Sequence, residues 1–154
     1  MDLSTILKPE AVKVVTSASS KKRLLQEFGD VAASTYDLDA SRTVEALQDR
    51  ENLGPTGVGH GVALPHARMQ SLSRVVGAFI LLEKPVDFSA VDRVPVDIAF
   101  ALFAPEEAGV EHLKALAQVS RRLRDPDICA KLRANQDAGT LFTILTASDN
   151  VQAA

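Results

Sequence analysis

Two runs of apolar residues dominate the middle of the chain. Residues 75–82 and residues 96–103 are almost continuously apolar. Strands that are covered on both faces have this pattern, whereas a strand with one solvated face alternates apolar and polar residues. Pro85 and Pro95 mark breaks, because proline cannot donate a hydrogen bond to a neighbouring strand. The pattern therefore predicts two central strands.

Helical periodicity flanks these strands on both sides. Residues 21–36 carry apolar side chains at three- and four-residue spacing, and Ser20 before them is a suitable N-cap. A second helix is predicted from Ser41, as its N-cap, to about residue 51. Residues 11–15 alternate in the manner of a short edge strand. Three further helices are predicted downstream: one from Gly109 that ends at Asp125-Pro126, and two shorter ones at residues 128–134 and 138–145.

This order of elements predicts an α/β fold: a mixed central β-sheet sandwiched by helices on both faces. A length of 154 residues and a hydrophobic content of 46% suit one domain with one core over residues 1–154. Residues 148–154 are expected to form a frayed tail.

Composition excludes several classes of protein. Seventeen Lys and Arg against 20 Asp and Glu leave a net charge of -3, so no basic surface is expected for a nucleic-acid partner. No apolar run reaches the roughly 20 residues that span a bilayer, and the N-terminus has no leader pattern. Cys129, the single cysteine, cannot form an internal disulfide and is expected to be a buried structural thiol. We therefore expect a cytoplasmic protein without membrane insertion.

A glycine-rich segment, LGPTGVGHG at residues 53–61, invites a nucleotide-binding interpretation. The dinucleotide fingerprint requires glycine where Val62 stands, and a P-loop requires Lys followed by Ser or Thr after its last glycine. Both motifs are absent. The segment is either a turn that needs positive φ at several positions or a loop whose backbone N–H groups approach an anion.

His66 follows this segment, in the sequence Pro-His-Ala-Arg. A neutral imidazole has a lone pair that can attack phosphorus. Phosphoryl transfer needs little else beyond in-line positioning and cationic or N–H partners. Arg50, Arg68, the glycine-rich segment and the first turn of the helix that holds His112 are candidates for those partners. From the residues alone, a packing role for His66 remains an alternative.

Other chemistries have less support in the sequence. If residues 60–66 formed one straight strand, His60 and His66 would stand about 20 Å apart and could not share a zinc ion. A bend at Gly61 would relax that limit, but neither a cysteine pair nor a His-Glu-x-x-His motif is present. A serine hydrolase would need a Gly-x-Ser-x-Gly element, which is missing. We expect no metal and no cofactor, and a non-catalytic binding module stays open.

The stretch RENLGPTGVGHGVALPHAR, residues 50–68, resembles the signature of the mannitol/fructose-type IIA proteins of the bacterial phosphotransferase system. The similarity is greatest to the nitrogen-regulatory IIA proteins. Further matching stretches are LSTILKPEAV near the start, LLEKPVDFSAVDRVPVDIAFALFAP in the middle and EHLKALAQVSRRLRDPDICAKLRA later. The resemblance covers nearly the whole chain and implies a single IIA type-2 domain.

The resemblance also implies roles for individual residues. His66 would accept a phosphoryl group from a phosphorylated HPr-type carrier of the nitrogen branch, and His112 would orient or stabilise the phosphorylated ring. The residues implied to bind the phosphate or line its site are Arg50, Thr56, Gly57 and Arg68. From the residues alone, His112 could equally be a core residue on the apolar stripe of its helix.

Three positions depart from the family pattern. Pro55 stands where serine is common, His60 replaces a frequent asparagine, and Ala67 replaces a frequent glycine. We expect His60 to add a proton donor near the site.

The implied function is regulatory. The phosphorylation state would control binding to target proteins such as potassium transport systems or sensor kinases. The alternative is a sugar-specific fructose- or mannitol-type IIA component that passes its phosphoryl group to a IIB domain. The chain ends without a IIB domain or membrane segment, which favours the regulatory function.

Overall fold

The computed structural model describes residues 2–147, and the predicted tail at 148–154 lies outside them. Within this range a short 3₁₀ turn, Leu3–Thr5, leads into a six-stranded sheet. The strands are β1 (Leu7–Val15), β2 (Gly57–Gly59), β3 (Val62–Ala63), β4 (His66–Met69), β5 (Val76–Val86) and β6 (Val96–Pro105). The helices are α1 (Lys21–Tyr36), α2 (Ala40–Asn52), α3 (Val110–Leu123), α4 (Pro126–Arg133) and α5 (Ala138–Thr146).

The sheet is mixed, with strand order β1-β5-β6-β3-β2, and β4 also pairs with β6. β1 runs parallel to β5, β5 runs antiparallel to β6, and both β3 and β4 run parallel to β6. β5 and β6 are the two central strands that the apolar runs predict. Phe79 and Phe100, one from each, are fully buried and meet edge to face with ring centroids 6.3 Å apart.

One predicted break is wrong. β5 continues through Pro85 to Val86, although Pro85 lacks a donor. The ladder between β5 and β6 shifts register between Leu81 and Val86, so the proline lies in an irregular stretch where its missing N–H is tolerated. The break at Pro95 is confirmed, because β6 begins at Val96. β1 is the predicted edge strand, but it begins earlier than residue 11.

The helices begin at capped positions. The Ser20 hydroxyl accepts a hydrogen bond from the Arg23 N–H at 3.1 Å, as predicted for α1. α2 begins earlier than predicted, because the Asp39 carboxylate caps it by accepting from the Arg42 N–H at 2.9 Å. Aspartate serves as an N-cap as well as serine does, so Ser41 lies inside the helix.

The helices form two groups around the sheet. α1 and α2 pack on each other and contact β5 and β4, whereas α3, α4 and α5 pack in series and contact β6 and β1. This arrangement confirms the predicted fold class. Cys129 on α4 is buried, and its thiol donates to the Leu123 carbonyl at 3.1 Å, which supports a structural role. Among residues 2–147, the helices are too short or too polar to cross a membrane.

Candidate functional site

His66 is the first residue of β4, at the edge of the sheet where β6 ends. It lies opposite Leu102 in the parallel ladder, and the Leu102 N–H donates to the Pro65 carbonyl at 2.9 Å. α2 packs against β4. His66 is partly buried. The end of a central strand and the last turn of a helix therefore meet at this imidazole.

Hydrogen bonds to both ring nitrogens determine the tautomer of His66. Nδ1 lies 3.0 Å from the Leu64 carbonyl oxygen, which can only accept, so Nδ1 carries the proton. Nε2 accepts a hydrogen bond from the Arg50 Nε–H at 3.2 Å. Arg50 is held in turn, because its Nη1 donates to the Gly54 carbonyl at 3.0 Å. The lone pair of Nε2 therefore points at a guanidinium that two hydrogen bonds fix in place.

His112 lies on the first turns of α3, beside the His66 ring. The two ring centroids are 5.5 Å apart and the planes meet at 71°. His112 is only 5% exposed, and its Nε2 is buried without a hydrogen-bond partner among the described residues. A buried polar atom without a partner is uncommon and costly. It is the kind of group that a bound anion would satisfy.

Burial lowers the pKa of both histidines below the ordinary value. For His66 the positive charges of Arg50 and Arg68 also lower the pKa, while the Leu64 carbonyl and the charge of Glu51 oppose them. For His112 the further causes are the charges of His66 and Arg68. These lowered pKa values favour the neutral form of both rings, in which Nε2 of His66 carries a lone pair.

Two more electropositive groups border the pair of histidines. Arg68 lies two residues after His66, so its side chain leaves the same face of β4, and its Nη1 donates to the Glu106 carbonyl at 2.8 Å. Helix α3 starts at Val110, and its N-cap residue, Gly109, has no side chain that could cap the first amides. Such amides at a helix N-terminus attract anions.

The contacts described for Thr56 and Gly57 are with residues other than the two histidines. The N–H of Thr56 donates to Glu51 Oε1 at 3.0 Å, and its hydroxyl donates to Glu51 Oε2. Both Thr56 donors are thus occupied by a carboxylate of the protein. Gly57 begins β2 under Ala90, whose Cβ would lie 2.7 Å from a Cβ at position 57. Glycine is needed there for close packing.

Glu51 is a residue that the sequence analysis did not single out. It is buried in the last turn of α2 and pairs with Lys21, with Nζ 2.8 Å from Oε1. The available signal was its position next to Arg50 within the RE pair of the matched stretch. A glutamate at the end of an amphipathic helix is ordinarily solvated, so the sequence alone does not indicate that this one is buried.

His60 does not join the site, so the expectation of an extra proton donor there is wrong. It lies in the tight turn between β2 and β3 with φ +58°, where its N–H donates to Asp92 and its carbonyl accepts from Arg133. The Gly61 carbonyl beside it accepts from the Asp97 N–H on β6. Asp97 lies five residues before Leu102, the residue opposite His66, so this turn is about 16 Å from His66.

The glycine-rich segment is the predicted turn. Positive φ occurs at Gly54, Gly59 and Gly61 as well as at His60. Across residues 2–147, no group of three or more His, Cys, Asp or Glu side chains is arranged to hold a metal ion.

Large apolar side chains are exposed near the two histidines. Leu53, which follows α2 and adjoins Gly54, is 85% exposed. Val110 and Leu113, which flank His112 on α3, are each 66% exposed. Exposed apolar residues beside a reactive group are typical of protein–protein contact sites.

Comparisons with known proteins point to one family. The family model of the phosphoenolpyruvate-dependent sugar phosphotransferase system, EIIA 2, matches residues 5–148. The nitrogen regulatory protein of Bradyrhizobium diazoefficiens is 43% identical over 145 residues, which are 94% of this chain and 95% of that protein. The nitrogen regulatory protein of Escherichia coli is 39% identical over 147 residues, 95% of this chain and 90% of that protein.

A solved structure shows the same fold. The crystal structure of the nitrogen regulatory protein IIA-Ntr from Neisseria meningitidis superposes with a TM-score of 0.86 at 36% identity, covering 94% of this chain and 99% of that one. Taken with the match over residues 5–148, this places the chain in the EIIA 2 family of the phosphotransferase system: it is a IIA protein of that system.

Proposed function

We propose that this chain is a nitrogen-regulatory IIA protein in which His66 accepts a phosphoryl group from a phosphorylated HPr-type carrier and the phosphorylation state controls binding to target proteins. One observation carries the proposal. His66 directs its Nε2 lone pair at the fixed Arg50 guanidinium, and its ring lies beside that of His112, whose buried Nε2 has no partner among the described residues.

The transfer step uses the tautomer that the hydrogen bonds define. The Nε2 lone pair attacks phosphorus, the bond between phosphorus and the carrier's imidazole nitrogen breaks, and the carrier ring keeps that electron pair. Nδ1 retains its proton, and the ring becomes positively charged. The Leu64 carbonyl, 3.0 Å from Nδ1, stabilises that charge. Arg50 leaves Nε2 and donates to the phosphoryl oxygens instead, which places a positive charge where the transition state is negative.

His112 completes the binding of the phosphoryl group in this proposal. Its buried Nε2 has no partner in the unphosphorylated protein, and leaving such a group unsatisfied costs about 1–3 kcal/mol. With its proton on Nε2, His112 donates to a phosphoryl oxygen and that cost is removed. The uncapped amides at the start of α3 favour the same negative charge.

In this proposal, phosphorylation acts by changing the surface on which target proteins dock. A phosphoryl group adds a charge of about -1.5 to -2 to an area whose neighbours include the exposed Leu53, Val110 and Leu113. A partner that docks on these apolar side chains would meet a different electrostatic surface after phosphorylation. The names of the relatives support nitrogen regulation, and the family resemblance suggests potassium transport systems or sensor kinases as targets.

A phosphorylation assay tests the proposal. The protein is incubated with phosphoenolpyruvate, nitrogen-branch enzyme I and its carrier, and we expect one acid-labile, base-stable phosphoryl group per chain. His66→Ala abolishes the adduct, while His60→Ala at the distant turn retains it. An adduct that persists on the His66→Ala variant contradicts the proposal.

The same assay separates the regulatory function from the sugar-specific one. A IIB domain of the fructose or mannitol type is added to the phosphorylated protein. We expect the phosphoryl group to remain on His66. Rapid transfer to the IIB domain would instead identify a sugar-specific IIA component.

A further inference from the structure

The buried carboxylate of Glu51 is the centre of a network that the transfer step does not use directly. Its side chain is only 1% exposed. Oε1 accepts from Lys21 Nζ at 2.8 Å and from the Thr56 N–H at 3.0 Å, and Oε2 accepts from the Thr56 hydroxyl. A buried charge needs a counter-charge and hydrogen bonds of this kind. The carboxylate thus joins the start of α1 to the glycine-rich turn.

From Thr56 the network reaches the reactive ring in two further hydrogen bonds. The Thr56 carbonyl accepts from the Leu64 N–H at 3.0 Å. The Leu64 carbonyl lies 3.0 Å from His66 Nδ1 and accepts its proton. The N–H and the carbonyl of Leu64 are therefore both fixed, the first by Thr56 and the second by the His66 ring. If Thr56 is displaced, the Leu64 carbonyl that accepts the Nδ1 proton is displaced with it.

Lys21 anchors the outer end of the network. Besides pairing with Glu51, its ammonium lies 4.5 Å from the centre of the buried Phe88 ring. A cation over an aromatic face is stabilised by the ring quadrupole. Three separate segments, the start of α1, the end of α2 and the residues after β5, therefore hold the carboxylate in one position.

We propose that Glu51 is a positioning residue for phosphoryl transfer: with Lys21 and Thr56 it fixes the Leu64 carbonyl and so keeps His66 in the Nδ1–H tautomer, with Nε2 unprotonated. This rests on the proposed function of His66. Without that restraint Arg50 alone holds the tautomer, so the ring also takes the other form, in which Nε2 carries the proton and cannot attack phosphorus. Helix α2 thereby contributes both Arg50 and the restraint on the opposite ring nitrogen.

Electrostatics gives Glu51 a second, separable effect. Among residues 2–147, the charged and titratable groups that act on His66 are Arg50 and Glu51 from α2, Arg68 from β4 and His112 from α3. Of these, Glu51 alone is negative, and its charge raises the pKa of His66 against the lowering by burial and by Arg50. Removing the charge of Glu51 lowers that pKa further.

The experiment compares Glu51→Gln with Glu27→Gln, which removes an exposed ion pair to Arg23 on α1. Long-range ¹H–¹⁵N spectra of the unphosphorylated proteins report the tautomer and pKa of His66. We expect a single Nδ1–H form in the wild type and in Glu27→Gln. In Glu51→Gln we expect a mixture of tautomers, a lower pKa of His66 and phosphorylation by the carrier slowed roughly 10-fold or more, as a misplaced reacting group produces.

A second pair of variants keeps the test valid if Glu51→Gln does not fold. Thr56→Val removes the hydroxyl and Thr56→Ser keeps it, so we expect the mixed tautomer in the first and recovery of the Nδ1–H form in the second. An unchanged tautomer and an unchanged rate in folded Glu51→Gln or Thr56→Val overturn the proposal.

The tautomer is measured without any phosphoryl donor, so the two proposals fail separately. If the wild type is not phosphorylated but Glu51→Gln changes the tautomer, the transfer proposal fails while the control of the ring by Glu51 stands.

Discussion

Replacement of Arg50 by glutamine tests the electrostatics of the site. The wild-type guanidinium is held at both ends, with Nε 3.2 Å from His66 Nε2 and Nη1 3.0 Å from the Gly54 carbonyl. It therefore needs little reorganisation to meet the phosphoryl oxygens. Glutamine is too short to reach both partners and carries no charge.

The size of the effect follows from that geometry. Removing one preorganised donor from a site that stabilises a negative transition state costs about 3–4 kcal/mol, or roughly 100- to 1,000-fold in rate. Arg50→Lys keeps the charge but loses the fork that spans His66 and Gly54, so we expect an intermediate loss of roughly 10-fold. Since the charge of Arg50 lowers the pKa of His66, glutamine raises that pKa.

The assay is single-turnover phosphorylation by the phosphorylated carrier, followed by rapid quench, with an NMR titration of His66 on the same samples. Arg23→Gln is the matched control, because Arg23 contacts only Gln26 and Glu27 at the surface of α1 among the contacts described. The reasoning is refuted if Arg50→Gln is phosphorylated at the wild-type rate, or if the pKa of His66 falls.

Three further predictions concern His112, Lys21 and pH. His112→Ala should slow phosphorylation roughly 100-fold while its circular dichroism stays native; unchanged kinetics would remove its proposed role. Lys21→Met should lower the free energy of unfolding by about 2 kcal/mol, because it leaves the Glu51 carboxylate buried without its counter-charge; urea denaturation measures this, and a loss no larger than that of Arg23→Gln would contradict it. Burial lowers the pKa of His66 and His112, so between those values and about 6.5 the unfolded chain binds more protons and stability falls as the pH falls. Wild-type protein should therefore lose more stability than the His66→Gln/His112→Gln double variant between pH 7.5 and pH 5.5, and equal losses would count against it.

The sequence predicts the fold well because its strongest signals are local. The apolar runs at β5 and β6 leave little choice but central strands, and Ser20 marks the start of α1 where the structure has it. Predicted element boundaries are wrong where two residues can serve as the N-cap or where strand pairing is irregular. Asp39 caps α2 ahead of Ser41, and Pro85 sits in β5 because the ladder changes register around it.

The same distinction holds for the residues of the site. The family resemblance brings His66, His112 and Arg50 into consideration, and the fold places these three side chains together. Partners that depend on tertiary contacts are hidden in the sequence. Nothing local indicates that Thr56 gives both its donors to Glu51, or that His60 lies at the far end of β6. The organisation of residues 1–154 as one domain and the roles of the site residues stay predictions.

The most direct measurement is the identity of the phosphorylated nitrogen. Long-range ¹H–¹⁵N spectra of the phosphorylated, ¹⁵N-labelled protein distinguish the two ring nitrogens of His66. The Leu64 carbonyl occupies the Nδ1 proton, so we predict phosphorus on Nε2 with the proton still on Nδ1. Phosphorus on Nδ1, or on any residue other than His66, would contradict the account.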